Sequence, residues 1–139
     1  VKAFRELILE LTNRLKKKAY LNAYTYYKVQ RYKSAVVALR NALKTYPETP
    51  YREEILYLTL ESSYELASNS IASLQVDRYL DTMDAYYNLI SEFPDSKHRK
   101  AAERIQRQCK NFLAKNNPEG VDANADEGYT TTQAGNTNL

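Results

Sequence analysis

The chain has 139 residues, of which 43% are hydrophobic, with 3 Gly, 4 Pro, 13 Tyr and no Trp. This length corresponds to one domain, and the small number of helix breakers favours an all-α fold over a β-rich one. Basic and acidic residues, 20 against 17 for a net charge of +3, are mixed along the chain, which gives no indication of nucleic acid as a partner.

The first predicted element is a helix over residues 1–15. Five large apolar residues fall on one helical face: Phe4, Leu7, Ile8, Leu11 and Leu15. We interpret it as the orphan second helix of a truncated repeat, with an adhesive exposed face. The chain begins inside this helix, without Met and without a signal peptide, so we expect a C-terminal fragment of a longer protein. The sequence has no apolar run long enough to span a membrane.

A helical hairpin is predicted over residues 17–46, with a turn at Gln30-Arg31, and its pattern returns later in the chain. Arg31-Tyr32 and Tyr46-Pro47 correspond to Arg78-Tyr79 and Phe93-Pro94, a displacement of 47 residues from 31 to 78. Ahead of residue 66 the displacement is 37, from Tyr20 to Tyr57. We place the ten additional residues in a lengthened first helix of a second repeat, residues 50–93.

Two proline steps mark the helix boundaries. Pro47 ends one helix, and Thr49-Pro50 is a capping residue followed by a first helical position. The second step, Phe93-Pro94, precedes a terminal helix predicted over residues 96–114, with Ser96 as its cap. Asp77 is the expected cap of the helix that ends at this second step.

Together these elements predict a domain over residues 1–115 made of TPR-like helical hairpins, which form a short right-handed solenoid. Residues 116–139 are rich in Asn, Thr, Gly and Ala and contain few large apolar residues. Such a composition cannot bury enough apolar surface to offset the entropy of ordering, so it predicts a disordered tail.

Catalytic chemistry is not indicated by the candidate residues. The single cysteine, Cys109, permits no internal disulfide, and with one histidine, His98, there is no His/Cys metal cluster. We interpret Cys109 as a half-buried core residue, His98 as a solvated surface residue, and Glu53-Glu54 as complementing a helix dipole. We therefore predict a non-enzymatic protein without a cofactor.

A set of motifs between residues 19 and 67 carries a family resemblance. They are Tyr26-Tyr27 at a helix end, Tyr32 after the turn, the step from Tyr46 to Tyr51, and Glu53-Glu54 at a helix start. This arrangement resembles the C-terminal TPR half of the BamD family of outer-membrane assembly lipoproteins, over about residues 1–115. Gln30 stands where the family often has Gly, and the ten additional residues and polar tail resemble Bacteroidetes-like versions more than enterobacterial ones.

The resemblance implies a non-catalytic scaffold of the β-barrel insertion machinery at the periplasmic face of the outer membrane. Implied partners are the periplasmic domains of the core barrel subunit, other assembly lipoproteins and unfolded outer-membrane proteins, with membrane contact only through a lipid anchor absent from this fragment. We expect a patch for an acidic partner surface, made of Arg14, Lys16, Lys17, Val29, Gln30 and Arg31. The alternative is a generic TPR adaptor that binds a peptide or partner protein in its groove.

Overall fold

The computed structural model describes residues 1–118, and it contains five α-helices in that range. They are α1 (Lys2–Lys28), α2 (Tyr32–Thr45), α3 (Arg52–Ser68), α4 (Ala72–Glu92) and α5 (Arg99–Asn116). The described residues form no strand, and none of their helices has the length and hydropathy needed to cross a bilayer. The predicted all-α fold is confirmed.

The helices are arranged as successive hairpins. Each helix packs on the next one in the chain, and α3 also touches α1 and α5. In a solenoid each repeat contacts only its neighbours in the chain. The prediction of helical hairpin repeats is therefore confirmed, with α1–α2 and α3–α4 as the hairpins and α5 as the helix that follows them.

The core is divided into two clusters, and α3 contributes to both. Ile55 and Leu58 lie in the cluster shared with α1 and α2, whereas Leu56 and Leu60 lie in the cluster shared with α4 and α5. A helix that is apolar on most of its circumference is a buried helix. The position of α3 between the first hairpin on one side and α4 and α5 on the other explains why so much of its surface is apolar.

The predicted helix break between residues 15 and 17 is wrong, because α1 is continuous from Lys2 to Lys28. Leu15-Lys16-Lys17-Lys18 contains only good helix formers, with no Gly or Pro to interrupt the backbone hydrogen bonds. Residues 1–15 therefore extend the first helix of the first repeat. They are not the second helix of another repeat.

The predicted lengthening of the first helix in the second repeat is also wrong. The helix α3 ends at Ser68, and α4, with 21 residues, begins at Ala72. Asn69 Nδ2 donates to the Glu65 carbonyl (2.8 Å) and Ser70 Oγ to the Leu66 carbonyl (2.5 Å), so polar side chains satisfy the last carbonyls of α3. Asp77 consequently lies inside α4 and is not its cap.

The first proline step is held by side-chain contacts to its own backbone. Thr49 Oγ1 accepts a hydrogen bond from the Tyr51 N–H (3.2 Å), and Arg52 Nη1 donates to the Pro47 carbonyl (2.9 Å). These contacts fix the path of the chain from α2 into α3. Thr49 thus acts in the turn before the helix, whose first helical residue is Arg52.

The second proline step repeats the same contacts 47 positions later. Ser96 Oγ accepts a hydrogen bond from the His98 N–H (3.1 Å), and Arg99 Nη1 donates to the Pro94 carbonyl. The terminal helix starts at Arg99, later than the predicted residue 96, because Ser96 lies in this turn. The predicted disorder of residues 116–139 falls mostly on residues 119–139, outside the described residues, and stays a prediction.

Candidate interaction surfaces

The single cysteine lies in the core. Cys109 is fully buried among α3, α4 and α5, and this burial raises the pKa of its thiol to about 12. A thiol is a nucleophile only as the thiolate, which is scarce at neutral pH when the pKa is so high. The interpretation of Cys109 as a core residue holds, although the residue is more deeply buried than predicted.

His98 is not the solvated residue that the sequence predicted, since its side chain is only 20% exposed. Its ring stacks on Tyr57 (centroids 4.0 Å apart, planes at 4°), and its Nε2 pairs with Glu54 Oε2. The first repeat boundary has an equivalent contact, in which Tyr51 stacks on Tyr20 at 4.7 Å. His98 is therefore part of the contact that joins neighbouring repeats.

Glu53 and Glu54 lie in the first turn of α3, as expected for charges that complement a helix dipole. Each also contacts the next repeat unit. Ser96 Oγ donates to Glu53 Oε2 (2.6 Å), and Lys97 Nζ lies 3.7 Å from Glu54 Oε2. The two glutamates thus connect the start of α3 to the turn before α5. Their partners in this contact lie more than 40 positions later in the sequence.

Tyrosines line the face where α1 meets α3. The Tyr27 hydroxyl donates to Glu61 Oε1, and burial together with this bond raises the pKa of Tyr27. The same two causes raise the pKa of Tyr57. Tyr24 contacts both Tyr20 and Tyr27 through its ring. These tyrosines are engaged in contacts within the chain.

The turn between α1 and α2 brings three of the predicted binding residues together, Val29, Gln30 and Arg31. Gln30 has a φ of 62°, in the left-handed region that favours glycine. The N–H groups of Gln30 and Arg31 donate to the carbonyls of Tyr27 (3.0 Å) and Tyr26 (2.9 Å), which closes the helix end. Val29 is left 59% exposed at the tip of a fixed turn.

The other three predicted binding residues do not join this turn. Arg14 is ion-paired with Glu10 at 2.7 Å, Lys16 is half-buried, and Lys17 is exposed on a different face of α1. Because α1 is continuous, Lys17 and Val29 are separated by roughly 18 Å along its axis. The structure therefore divides the predicted patch into a turn (Val29–Arg31) and a basic segment of α1.

A groove between α1 and α2 was missed at the level of sequence. It has a volume of about 580 Å³ and is bordered by the exposed side of both helices. We name it the α1–α2 groove, lined by Ala19, Asn22, Tyr26, Ser34, Val37, Ala38 and Asn41, among others. Val37 was the available signal, since it is a large apolar residue outside the buried face of α2.

The comparisons with known proteins concern the same helices. A family model described as YfiO, outer membrane lipoprotein, matches residues 8–123, which is most of the chain. The chain belongs to this family. No curated protein matches it.

The match with the YfiO family confirms the sequence resemblance at the level of an outer membrane lipoprotein family. It begins within α1 and continues through α5, so it includes all six predicted binding residues and the α1–α2 groove. The narrower assignments, to a C-terminal half and to a Bacteroidetes-like version, remain predictions for this YfiO family member.

Proposed function

We propose that this chain is a non-catalytic scaffold segment of the machinery that inserts β-barrel proteins, acting at the periplasmic face of the outer membrane. The observation that carries the proposal is the match to an outer membrane lipoprotein family over most of the chain, on a helical-repeat fold suited to holding other proteins. We place the segment in the C-terminal half of the whole protein. Its partners are the core barrel subunit, other assembly lipoproteins and unfolded outer-membrane proteins.

In this proposal the turn Val29–Arg31 docks a periplasmic domain of the core subunit. Val29 supplies exposed apolar surface, and Arg31 supplies a guanidinium that can bind a carboxylate through two parallel hydrogen bonds. The backbone hydrogen bonds on either side of Gln30 hold the turn before the partner arrives. A fixed turn reduces the entropy lost on binding.

The basic segment of α1 has a different part in this proposal. Arg14 and Lys17 are too far from the turn to share one small contact, yet they add positive potential on the same helix. Exposed charges of this kind raise the association rate with an acidic surface more than they raise affinity. Lys16, which is half-buried, contributes mainly through packing of its aliphatic stem.

The test is the binding of the purified periplasmic domains of the core subunit to the chain, measured by calorimetry. We expect Arg31→Glu to weaken binding at least about tenfold, as for a central charged contact in an interface. Lys44→Glu, an exposed charge reversal at the other end of α2, is the matched control and should change binding less than about twofold. Equal affinity of Arg31→Glu and the unchanged chain would remove the turn from the interface.

The face between α1 and α3 does not favour the alternative of a generic TPR adaptor. A peptide groove on the face between α1 and α3 would need tyrosines free to receive a ligand, but Tyr27 is bonded to Glu61 and Tyr20 is stacked on Tyr51. A gene that encodes no leader with a lipid-bearing cysteine would favour the adaptor over the envelope scaffold.

A further inference from the structure

The turn Val29–Arg31 has a backbone geometry that its own residues do not favour. Its two hydrogen bonds, from the N–H groups of Gln30 and Arg31 back to the end of α1, are those of a Schellman motif. That motif usually has glycine at the left-handed position and an apolar side chain at the next one. Here Gln30 has the left-handed φ of 62°, and Arg31 is exposed. Since a strained conformation persists only where surrounding contacts hold it, the support must come from outside the turn.

On the α1 side, the support comes from Tyr27, two positions before Val29. The carbonyl of Tyr27 accepts the hydrogen bond of the Gln30 N–H (3.0 Å), while its hydroxyl donates to Glu61 Oε1 of α3. Burial and the bond to Glu61 raise the pKa of Tyr27, so the hydroxyl keeps its proton and remains a donor at neutral pH. One residue therefore connects the backbone of the turn to the next repeat.

On the α2 side, the turn is followed by Tyr32, which lies near the same part of α3. Tyr32 is the first residue of α2, and its ring packs edge-on against the Tyr27 ring, with centroids 6.2 Å apart and planes at 66°. Burial raises the pKa of Tyr32, and the carboxylates of Glu65 and Glu61 raise it further, because nearby negative charge disfavours the phenolate. Both sides of the turn are thus held next to α3.

Glu61 is the residue at which these contacts meet. Its carboxylate accepts the hydroxyl of Tyr27 from α1 and also bonds the hydroxyl of Tyr57 from its own helix. Hydrogen bonds to a charged acceptor are stronger than those to a neutral one. Tyr57 makes the same kind of bond without contacting the turn, and its ring stacks on His98 instead. The two tyrosines therefore form a matched pair for testing what the bond to Tyr27 does.

We propose that Glu61 is a positioning residue for the turn Val29–Arg31: through the Tyr27 hydroxyl it holds the turn, with Gln30 left-handed, in the shape that a partner domain binds. This contact takes the place of the glycine and the apolar side chain that the motif lacks. It removes conformational freedom before binding, which lowers the entropy lost on association. The hold is a property of the chain alone, whereas its consequence for docking rests on the function proposed above.

Amide hydrogen exchange measures the hold without any partner. Tyr27→Phe should lower the protection factors of the Gln30 and Arg31 N–H groups at least about tenfold, because a bond to a charged acceptor is lost. Tyr57→Phe removes the other hydroxyl from the same carboxylate and should change these protection factors less than about twofold. The core amide of Cys109 should respond equally to both substitutions, so an additional loss at the turn reports a local effect.

Further variants separate a positioning role from simple packing. Glu61→Ala should lower the protection of the turn as much as Tyr27→Phe does, and the double variant should show no further loss, because both changes remove one contact. Glu61→Gln keeps an acceptor oxygen and should retain part of the protection. Gln30→Gly in the Tyr27→Phe chain should restore it, since glycine adopts a left-handed φ without steric cost. A role in packing alone would not be rescued at Gln30.

Calorimetry with the purified periplasmic domains of the core subunit connects the hold to docking. We expect Tyr27→Phe to weaken binding at least about fivefold and Tyr57→Phe to weaken it less than about twofold, because only the first releases the turn. Gln30→Gly should restore binding in the Tyr27→Phe chain. Circular dichroism of each variant checks that its helical content equals that of the unchanged chain.

Three results would overturn the proposal. They are normal protection of the turn in Tyr27→Phe, an equal loss of protection in Tyr57→Phe, or lost protection without weaker binding in a chain whose binding depends on Arg31. A different result separates the two proposals: if Tyr27→Phe loses protection while Arg31→Glu binds the core-subunit domains normally, the hold of Glu61 on the turn is supported and docking through the turn is wrong.

Discussion

At the scale of single residues, Ser62 is an exception in a well-bonded core. Its side chain is fully buried in α3, and its Oγ has no hydrogen-bond partner among the described residues. Burying a hydroxyl without a partner costs about 1–3 kcal/mol. Another buried hydroxyl on the helix, that of Thr59, does donate, to the Ile55 carbonyl at 2.7 Å.

We therefore expect Ser62→Ala to raise the free energy of unfolding by up to about 1 kcal/mol, because the desolvation cost disappears while little volume changes. Thr59→Ala should lower it by about 1 kcal/mol, because a bonded hydroxyl and a methyl group are lost. Urea unfolding followed by circular dichroism measures both. A loss of stability in Ser62→Ala would mean that the hydroxyl is bonded in solution.

Cys109 yields a prediction about reactivity. Because burial raises the pKa of its thiol to about 12, the folded chain presents almost no thiolate between pH 7 and pH 9, so raising the pH over this range should barely accelerate labelling by iodoacetamide. In guanidinium chloride the unfolded thiol should react quickly and faster at higher pH. Rapid labelling of the folded chain at pH 7 would restore a nucleophilic role for Cys109.

At the scale of helices, the start of α3 is tied to the end of α4 by Arg52 and Glu92. Arg52 Nε and Nη2 donate to the two carboxylate oxygens of Glu92 at 2.6 and 2.9 Å. The bond to Arg52 lowers the pKa of Glu92 below its ordinary value near 4.5. The Glu92 side chain is 39% exposed, so solvent screening keeps the contribution of the pair below about 1 kcal/mol.

A carboxylate with a lowered pKa stabilises the fold above its unfolded pKa, and this stability is lost as the pH falls through the folded pKa. We expect Glu92→Gln to be slightly less stable than the unchanged chain at pH 7 and nearly equal to it near pH 3. Urea unfolding at a series of pH values measures the difference, with Glu48→Gln, an exposed residue of the first proline step, as control. If the free energy of unfolding changed with pH in the same way for Glu92→Gln and for the unchanged chain, the ion pair of Arg52 and Glu92 would have no role in stability.

The helices also show what sequence could and could not predict. The proline steps at Pro47 and Pro94 and the 47-residue displacement predicted the hairpins, because prolines and apolar periodicity act locally. The end of α3 was missed, since it depends on how Asn69 and Ser70 bond to helix carbonyls. The buried setting of His98 depends on Tyr57 and Glu54, more than 40 positions away.

As with the helices, only those parts of the candidate surfaces that depend on neighbouring residues in the sequence could be predicted. Val29–Arg31 could be predicted as a turn because its residues are adjacent in sequence, while its role in binding stays a prediction. The sequence also predicted that Arg14, Lys16 and Lys17 lie next to this turn in one patch, and the structure separates them from it. The distance between the two groups depends on whether α1 breaks near residue 16, and α1 is continuous there. The α1–α2 groove needs the packing of two helices, which periodicity in either helix alone does not specify.

At the scale of the whole molecule, the start of α1 and the helix α5 differ in how much they stabilise the described fold. The last described helix, α5, buries Ala102, Ile105, Cys109 and Leu113 in the core cluster that it shares with α3 and α4. At the other end, every side chain from residue 1 to residue 11 is exposed. In a repeat protein each unit is stabilised by the interface with the neighbour that covers its apolar face.

Deletion of residues 1–8 should therefore change the melting temperature by less than about 2 °C, since almost no buried area is removed. Deletion from residue 99 onward should abolish cooperative unfolding, because Leu56, Leu60 and Leu89 would lose their cover. Thermal unfolding by circular dichroism distinguishes the two variants. A large fall in melting temperature on removing residues 1–8 would show that they pack on the rest of the chain.

The repetition of the proline step has an evolutionary consequence. Because the same side-chain contacts recur at Pro47 and Pro94, each junction carries the same set of local contacts to its own backbone. An in-frame duplication of the DNA that encodes residues 48–94 would join two such junctions without creating a foreign boundary. Proteins of this kind can thus change their reach in whole units.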